Sequence, residues 1–177
     1  MQRVMIVGQP GSGKSTLARE LGAVTGLPVF HMDHIHWKSG WVMRADDERL
    51  AMHEEVVAQE AWIFEGGFSN GHPTRAARAD TLVWLDVGVW TRLWRVTSRY
   101  VRYFGRERPD LPEGCPESLG WHNLEFYAFI WRTRNSSRQK LVRLTETAPD
   151  RVDLYILRTL EDVDAFLTAQ SKKAAYA

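Results

Sequence analysis

The stretch that decides the fold is GQPGSGKST, residues 8–16, which follows the apolar run RVMIVG. It contains the pattern G-x-x-x-x-G-K-S, with Gly8, Gly13, Lys14 and Ser15 at the defining positions. Glycines in such a loop let the backbone turn tightly, so that successive amides point at phosphate oxygens, and the following helix adds its positive end. The pattern also places the lysine on the outer phosphates and the serine hydroxyl on Mg²⁺. We therefore predict a loop that binds ATP and Mg²⁺. The predicted contacts are Gly8, Pro10, Gly11, Ser12, Gly13, Lys14, Ser15 and Thr16.

Strands and helices are predicted to alternate outward from this loop. The apolar runs predicted as strands are 3–8, 27–31, 61–67, 80–87 and 152–158. The segments with helical periodicity are 14–25, 46–60, 90–104, about 120–146 and 159–170, the last capped by Thr159, and 105–118 is predicted as a loop. Strands that run apolar without alternation and are followed by helices are typical of a parallel sheet covered on both faces. We expect a three-layer α/β P-loop NTPase fold with a five-stranded parallel sheet.

Composition fits a single globular domain over residues 1–177, with 44% hydrophobic and 25% charged residues. We expect a core made of 1–88 and 147–170, with a lid and its flanking helices at about 89–146. Cys115 is the only cysteine, which excludes an intrachain disulfide and cysteine-based zinc sites. No apolar run approaches the roughly 18–20 residues that a bilayer crossing needs, and the first residues do not resemble a signal peptide. We expect a cytoplasmic protein without a membrane partner.

A cluster of polar residues follows the second predicted strand, in PVFHMDHIHW, residues 28–37. If this segment stays extended, His31 and Asp33 point one way while His34 and His36 point the other, which splits the set two and two and disfavours a zinc site with four ligands. Mg²⁺ prefers oxygen ligands and would select the carboxylate. We predict that Asp33 faces Mg²⁺ or the phosphoryl acceptor. His34 or His36 is a candidate contact to the acceptor, and His36 is the one we favour.

The third and fourth predicted strands also end in acids. Glu65 closes the strand expected beside the P-loop strand, where a carboxylate could order the waters of Mg²⁺. Gly66 and Gly67 would let an acceptor approach the backbone, and Arg75 suits an anionic acceptor. Asp86 ends the fourth strand and is a rival to Glu65 for the magnesium role, ranked below it.

Positive charge is concentrated in one segment of the chain. Residues 87–143 hold 11 Lys/Arg against 5 Asp/Glu, a balance of +6, whereas the rest holds 12 against 17, a balance of −5. Within this segment Arg92, Arg95, Arg99 and Arg102 are spaced so that they share one stripe of a helix, with Trp94, Val101 and Phe104 nearer its opposite side. Such arginines and the 105–118 loop could close over a transferring phosphoryl group and keep water out.

Several of these pieces carry a family resemblance. They are the P-loop, MDHIHW (32–37), WIFEGGF (62–68), RAARADTLVWLD (75–86), WRVTSRYVRYFGRERPDLPEGCPE (94–117) and the last strand. Together, over about residues 1–168, they resemble the adenylate-kinase-like P-loop proteins known as DNA topology modulation proteins. The resemblance implies a nucleoside-monophosphate-kinase-like fold with a core, an acceptor region and a helical lid. By matching position it implies the site residues Asp33, Arg75, Arg95, Arg99 and Arg138. The chain departs from adenylate kinases at EGGFSN (65–70), where they have Asp-Gly-Phe-Pro-Arg, so their adenosine-monophosphate pocket is not implied.

Two functions fit these patterns. The first, which we favour, is a Mg²⁺-dependent phosphotransferase in which Lys14 and Ser15 hold ATP, while Glu65 and Asp33 serve magnesium and a small acceptor, a nucleotide among the candidates. The second is a nucleotide-dependent regulator that binds DNA through residues 87–143. The excess of arginine over lysine, 18 against 5, suits bidentate clamping of phosphate more than loose DNA contact. We expect a monomer or a homodimer.

Overall fold

The computed structural model describes residues 1–67, 71–117 and 121–175. Its strands are β1 (Arg3–Gly8), β2 (Val29–His31), β3 (Trp37–Lys38), β4 (Val42–Met43), β5 (Trp62–Glu65), β6 (Thr81–Leu85) and β7 (Asp153–Leu157). Its helices are α1 (Lys14–Thr25), α2 (Met32–His36), α3 (Asp46–Val57), α4 (His72–Arg78), α5 (Val89–Arg102), α6 (Trp121–Arg132), α7 (Arg134–Glu146) and α8 (Leu160–Ala175). A 3₁₀ turn, Ser39–Trp41, joins β3 to β4.

Five of the strands form one parallel sheet in the order β2-β5-β1-β6-β7, so the P-loop strand β1 lies at its centre. This confirms the predicted three-layer α/β fold with a five-stranded parallel sheet. The register places Glu65 beside Ile6 of β1 on one side and beside His31 of β2 on the other. The carboxyl ends of β1, β2 and β5 therefore meet at one edge, which is where such folds bind ligands.

Both faces of the sheet are buried because alternate residues of the central strands pack into different cores. Val4 and Ile6 of β1 pack with Leu17 and Leu21 of α1 and with residues of α8. The alternate residue Met5 joins the opposite core, which includes side chains of α3 and α7. This two-sided burial explains why the strand sequences are continuously apolar and do not alternate with polar residues.

The end of α1 and the start of α8 follow local signals in the sequence. α1 ends at Thr25, directly before Gly26, as predicted. The N–H of Asp162 donates to Oγ1 of Thr159 at 3.1 Å, and the N–H of Thr159 donates back to the Asp162 carboxylate at 3.0 Å. This reciprocal pair confirms Thr159 as the cap of α8, which extends beyond the predicted 170 to Ala175.

Four segments differ from the sequence predictions. The chain after β2 forms the helical turn α2 instead of an extended segment, because Met32 and Ile35, three residues apart, are both buried. The helix expected over 120–146 is two helices that meet at Thr133, whose hydroxyl donates to the carbonyl of Phe129 at 2.7 Å. The β3–β4 hairpin and α4 were not predicted. Residue 118 of the predicted loop and residue 120 of the predicted helix lie outside the described residues.

Residues 105–117, which were predicted as part of a lid and are called the lid loop below, are docked against the β3–β4 hairpin. The N–H of Gly40 donates to the carbonyl of Gly114 at 2.8 Å, and Nε1 of Trp41 donates to the carbonyl of Pro116 at 3.1 Å. Cys115 is buried, and its Sγ lies 3.3 Å from the carbonyl oxygen of Lys38. In the parts of the chain that the structure describes, no helix combines the length and the apolar character that a bilayer crossing needs.

Candidate active site

The loop between β1 and α1 is tightly folded and faces the carboxyl edge of the sheet. The N–H of Ser12 donates to the carbonyl of Gln9 at 3.1 Å, which closes a turn, and Gly11 has a left-handed φ of 79°. Nζ of Lys14 donates to the same Gln9 carbonyl at 3.3 Å. Because Lys14 opens α1, the positive end of that helix coincides with the loop. The backbone therefore has the form that an anionic ligand requires at residues 8–16.

Helix α5 closes the same loop from the other side. Arg92 is buried, and its guanidinium donates to the carbonyls of Val87 at 3.1 Å and Pro10 at 3.4 Å. Nη1 of Arg95 donates to the carbonyl of Ser12 at 2.6 Å. Arg92 and Arg95 of the α5 stripe thus face inward and hold P-loop carbonyls, whereas Arg102 is exposed. Arg95 was predicted as a site residue, whereas Arg92 was noted only as a member of the stripe.

Glu65 joins the P-loop to the two neighbouring strands. Its Oε1 accepts a hydrogen bond from Oγ of Ser15 at 3.0 Å and another from Nδ1 of His31 at 2.8 Å. Burial raises the pKa of Glu65, but the hydrogen bond from His31, the charge of Lys14 and the Ser15 hydroxyl outweigh it and hold the pKa below its usual value. The carboxylate is therefore kept ionised beside the serine that the P-loop pattern assigns to Mg²⁺.

Asp33 and Lys14 complete a charged cluster with Glu65. Burial, followed by the negative charge of Glu65, raises the pKa of Asp33, while Lys14 opposes this rise. Burial lowers the pKa of Lys14, and the charges of Glu65 and Asp33 act against that shift. These three side chains were predicted from separate strand ends and from the P-loop, and the structure brings them into one electrostatic environment.

The lid loop carries an ion-pair network beside this cluster. Arg108 pairs with Asp110 at 2.8 Å and with Glu117 at 2.7 Å, and all three side chains are buried. Nε of Arg99 lies 3.3 Å from the Glu117 carboxylate, and Arg19 of α1 lies 3.4 Å from Asp110. Arg99 is thus placed between α5 and the lid loop, and its charge also acts on the pKa of Lys14. Arg99 was predicted from the sequence, whereas Glu117, the acid that orients it, was not.

The other candidate acceptor contacts are distributed around the end of β5. Arg75 is fully buried, donates to the carbonyl of Gly66 at 2.7 Å and lies 4.8 Å from the centre of the Phe64 ring. Burial lowers the pKa of Arg75 to about 10, against the charge of Glu65. Gly67 follows at the surface, directly before residues 68–70, which lie outside the described residues. Arg75 therefore supports the Gly66 turn from within the core.

The two histidines of α2 lie in different surroundings. Nε2 of His34 is 3.4 Å from the carbonyl of Pro109 in the lid loop. His36 is half-buried, and burial together with the charge of Arg49 lowers its pKa to about 4. The structure therefore places His34 against the lid loop and His36 toward α3. His31, which was not among the predicted site residues, contacts Glu65, and the pairing of β2 with β5 was the signal that could have found it.

Arg138 and Asp86 form a separate pair on the opposite side of β1 from Glu65. The guanidinium of Arg138 donates to both carboxylate oxygens of Asp86, at 2.8 and 2.7 Å. Arg158 lies 3.7 Å from the same carboxylate. The hydrogen bonds from Arg138 lower the pKa of Asp86 against a smaller effect of burial. Asp86 is thus engaged by two arginines, whereas Glu65 is engaged by the P-loop serine.

The oxygen-bearing side chains of this charged cluster are suited to Mg²⁺. The Ser15 hydroxyl and the Glu65 and Asp33 carboxylates supply oxygen atoms, and Mg²⁺ in proteins is usually held by one or two carboxylates together with substrate phosphates. In the described ranges, no three His, Cys, Asp or Glu side chains are grouped as a metal cage. The residues present therefore fit a magnesium ion that enters with a nucleotide.

The comparisons with known proteins concern the fold. No protein-family model and no curated protein matches this chain. Among solved structures, shikimate kinase from Acinetobacter baumannii, in complex with shikimate, is similar with a TM-score of 0.59 and 14% identity, over 96% of this chain and 90% of that one. The chain has a P-loop kinase fold. Shikimate kinase from Bacteroides thetaiotaomicron has a TM-score of 0.57 and 16% identity, with 97% of each chain covered. Deoxyadenosine kinase from M. mycoides, with dCMP and dCDP bound, has a TM-score of 0.55 and 14% identity, over 98% of this chain and 99% of that one.

Proposed function

We propose that this protein is a Mg²⁺-dependent kinase that transfers the γ-phosphoryl group of ATP to a small acceptor. The observation that carries the proposal is the hydrogen bond from Ser15 to Glu65, with Lys14 and Asp33 in the same charged cluster. A P-loop serine joined to an ionised carboxylate on the neighbouring strand is the arrangement that Mg²⁺–nucleotide chemistry needs. The P-loop kinase fold supports this reading.

The nucleotide would be held by the loop amides, by Lys14 and by the start of α1. Lys14 gives up its bond to the Gln9 carbonyl and turns to the outer phosphates, since a phosphate oxygen is a stronger acceptor. Ser15 and Glu65 would hold Mg²⁺, one of them through water, and the ion supplies neutralisation of charge on the phosphates. Arg95, which already lies against Ser12, is placed to contact the same phosphates.

The acceptor would enter beside Asp33, between α2 and the lid loop. A carboxylate whose pKa is raised by burial can accept a proton from an attacking hydroxyl group more readily than an ordinary aspartate. Arg99 would stabilise the transferring phosphoryl group, and the docked lid loop would exclude water. We propose an acceptor that is a small hydroxylated or anionic molecule, with nucleotides among the candidates.

We also propose, on the residues quoted above, that the protein is adenylate-kinase-like and related to the DNA topology modulation proteins. The alternative of DNA binding through 87–143 receives less support. Arg92 and Arg95 of that segment face the P-loop, Arg108 is buried in the lid network, and Arg138 is paired with Asp86. Charges that are used inside the protein are not available to neutralise a DNA backbone.

The test is ADP production by the purified chain with ATP, Mg²⁺ and a panel of nucleotides, nucleosides and hydroxylated carboxylic acids. At least one acceptor should raise ADP production well above the rate without acceptor. Lys14→Met should lower turnover by about 10²–10³-fold, because it removes one preorganised cation from the transition state. Lys172→Met, at an exposed lysine of α8, is the matched control and should behave as the wild type. The proposal would be overturned if the wild type did not bind ATP·Mg²⁺. It would also be overturned if Lys14→Met bound ATP·Mg²⁺ as tightly as the wild type.

A further inference from the structure

Helices α5 and α6 present an unusual apolar surface. Trp90, Trp94 and Val101 of α5 are 72%, 71% and 76% exposed, and Leu124 and Trp131 of α6 are 58% and 41% exposed. We call these five side chains the tryptophan face. On α5 they are four and seven residues apart, and on α6 seven apart, so each set lies on one stripe of its helix.

The two stripes form one continuous surface. The Trp90 and Trp131 rings lie 5.4 Å apart, and Oγ1 of Thr97 lies 2.8 Å from the hydroxyl of Tyr127. These contacts show that the two helices run antiparallel, so Leu124 lies toward the end of the pair that carries Val101. The tryptophan face is therefore a single patch across both helices.

The area of the patch matches what a stable dimer needs. If a fully exposed tryptophan offers about 250 Å², its three tryptophans alone expose roughly 450 Å². A standard interface buries about 800 Å² per partner, of which about 56–65% is non-polar, so it needs about 450–520 Å² of apolar surface on each side. Val101 and Leu124 add to the tryptophans, and the face can fill this requirement. The patch is as large as the largest apolar patch on a typical monomer, about 300–600 Å², and such patches often have a function.

The distribution of charge favours a second copy of this chain as the partner. In a two-fold interface the same surface patch of both protomers comes together, so charges of one sign at its centre would repel their copies on the partner. The arginines of α5 that contact the P-loop and the lid loop face away from the tryptophan face. The exposed charges nearby are of both signs and lie outside the apolar stripes, where a polar rim is expected: Arg102, Glu125 and Arg132. The guanidinium of Arg134 lies 4.3 Å from the centre of the Trp131 ring, at the end of the face away from Val101.

We propose that the protein forms a homodimer through the tryptophan face, with α5 and α6 of one protomer packed on α5 and α6 of the other. Because the inner side of α5 holds the P-loop carbonyls, the interface would lie directly behind the nucleotide site of each protomer. The proposal does not depend on the proposed kinase activity, since it rests on exposed surface alone.

Sedimentation velocity of the full chain at about 1–100 μM tests the homodimer proposal. The wild type should sediment with twice the chain mass in the upper part of that range. Trp94→Glu should weaken dimerisation by at least about thirtyfold, because a buried tryptophan at the centre of an interface is a hot spot and a charge there is left unpaired. Leu160→Glu, at a 65% exposed leucine of α8, is the matched control and should leave the dimer intact. Far-ultraviolet circular dichroism and the thermal midpoint check that Trp94→Glu is folded.

Three outcomes would overturn the dimer. If the wild type is monomeric at about 100 μM, the tryptophan face does not mediate dimerisation. Equal dissociation of the Trp94→Glu and Leu160→Glu variants would show that the effect is not specific to the tryptophan face. A monomer that binds phosphatidylcholine–phosphatidylglycerol vesicles through Trp94 would assign the face to a lipid surface.

Discussion

The carbonyl oxygen of Arg92 lies 2.6 Å from the point where a Cβ on Gly11 would stand. The P-loop and α5 therefore touch backbone to backbone, and only a glycine permits this approach. The contact links the nucleotide site to the helix whose opposite side carries the tryptophan face. A substitution at Gly11 therefore tests the contact directly.

Gly11→Ala should both destabilise the protein and weaken nucleotide binding. The new methyl group meets a backbone carbonyl that cannot move aside, and φ of 79° is unfavourable for alanine. We expect the free energy of unfolding to fall by about 1–3 kcal/mol and the affinity for ATP·Mg²⁺ to fall with it. Urea unfolding and titration calorimetry measure the two effects.

Gly26→Ala is the matched control, because Gly26 has a similar φ of 73° but no atom within 4 Å of the added Cβ. It carries the backbone strain without the collision, so it should lower stability by about 1 kcal/mol and leave nucleotide affinity unchanged. Equal behaviour of the two variants would show that the contact with Arg92 does not matter.

The second prediction concerns stability in acid. Burial, together with the positive charge of Arg75, lowers the pKa values of His53 and His72 to about 4. In the unfolded chain both titrate near 6.5, so the unfolded state binds more protons between these values. The stability that these neutral histidines contribute is present above about pH 6.5 and is lost as the pH falls toward 4. The free energy of unfolding should therefore decline across this window.

His53→Leu tests the assignment, because leucine cannot take up a proton. Urea unfolding at about pH 7.5, 6 and 5 should give a shallower decline for the variant than for the wild type, whatever its stability at neutral pH. A decline with the same slope in both proteins would exclude His53 as a source of the acid sensitivity.

Much of the architecture could be predicted because its signals are local. The P-loop pattern, the apolar runs and the cap at Thr159 each lie within about ten residues of sequence. The rule that ligands bind at the carboxyl ends of parallel strands predicted one site for Asp33, Glu65 and Lys14, and the charges of these three groups do act on one another's pKa values. These predictions needed the order of elements and no knowledge of side-chain contacts.

The remaining features depend on packing between distant segments. The bond between His31 and Glu65 exists because β2 pairs with β5 in one register, across 34 residues of chain. The Arg99–Glu117 pair requires the lid loop to dock, and no local pattern specifies that docking. The turn at α2 was not predicted, because five residues are too few for a helical period to be recognised.

The third prediction separates a structural from a catalytic role for Arg138. Its bidentate pair with Asp86 connects α7 to the end of β6, on the side of β1 away from Glu65. Arg138→Gln should lower the free energy of unfolding by about 0.5–1 kcal/mol, as expected for a partly exposed pair, and leave kcat near the wild-type value. Arg158→Gln, which removes the more distant partner of Asp86, should have a smaller effect. A loss of about 10²–10³-fold in kcat would instead place Arg138 on the phosphoryl group, as the family resemblance implies.

The last prediction decides which acid serves magnesium. Glu65 accepts a hydrogen bond from the P-loop serine, whereas Asp86 is engaged by Arg138 and Arg158. Glu65→Gln keeps the shape of the side chain but removes its charge, so the Mg²⁺ concentration for half-maximal ADP production should rise by about 10–100-fold. Asp86→Asn makes the same change at the rival acid and should leave that concentration unaltered while lowering stability. If the Mg²⁺ concentration for half-maximal ADP production rose only in Asp86→Asn, the assignment would be reversed, because magnesium would then not need a charged residue at position 65.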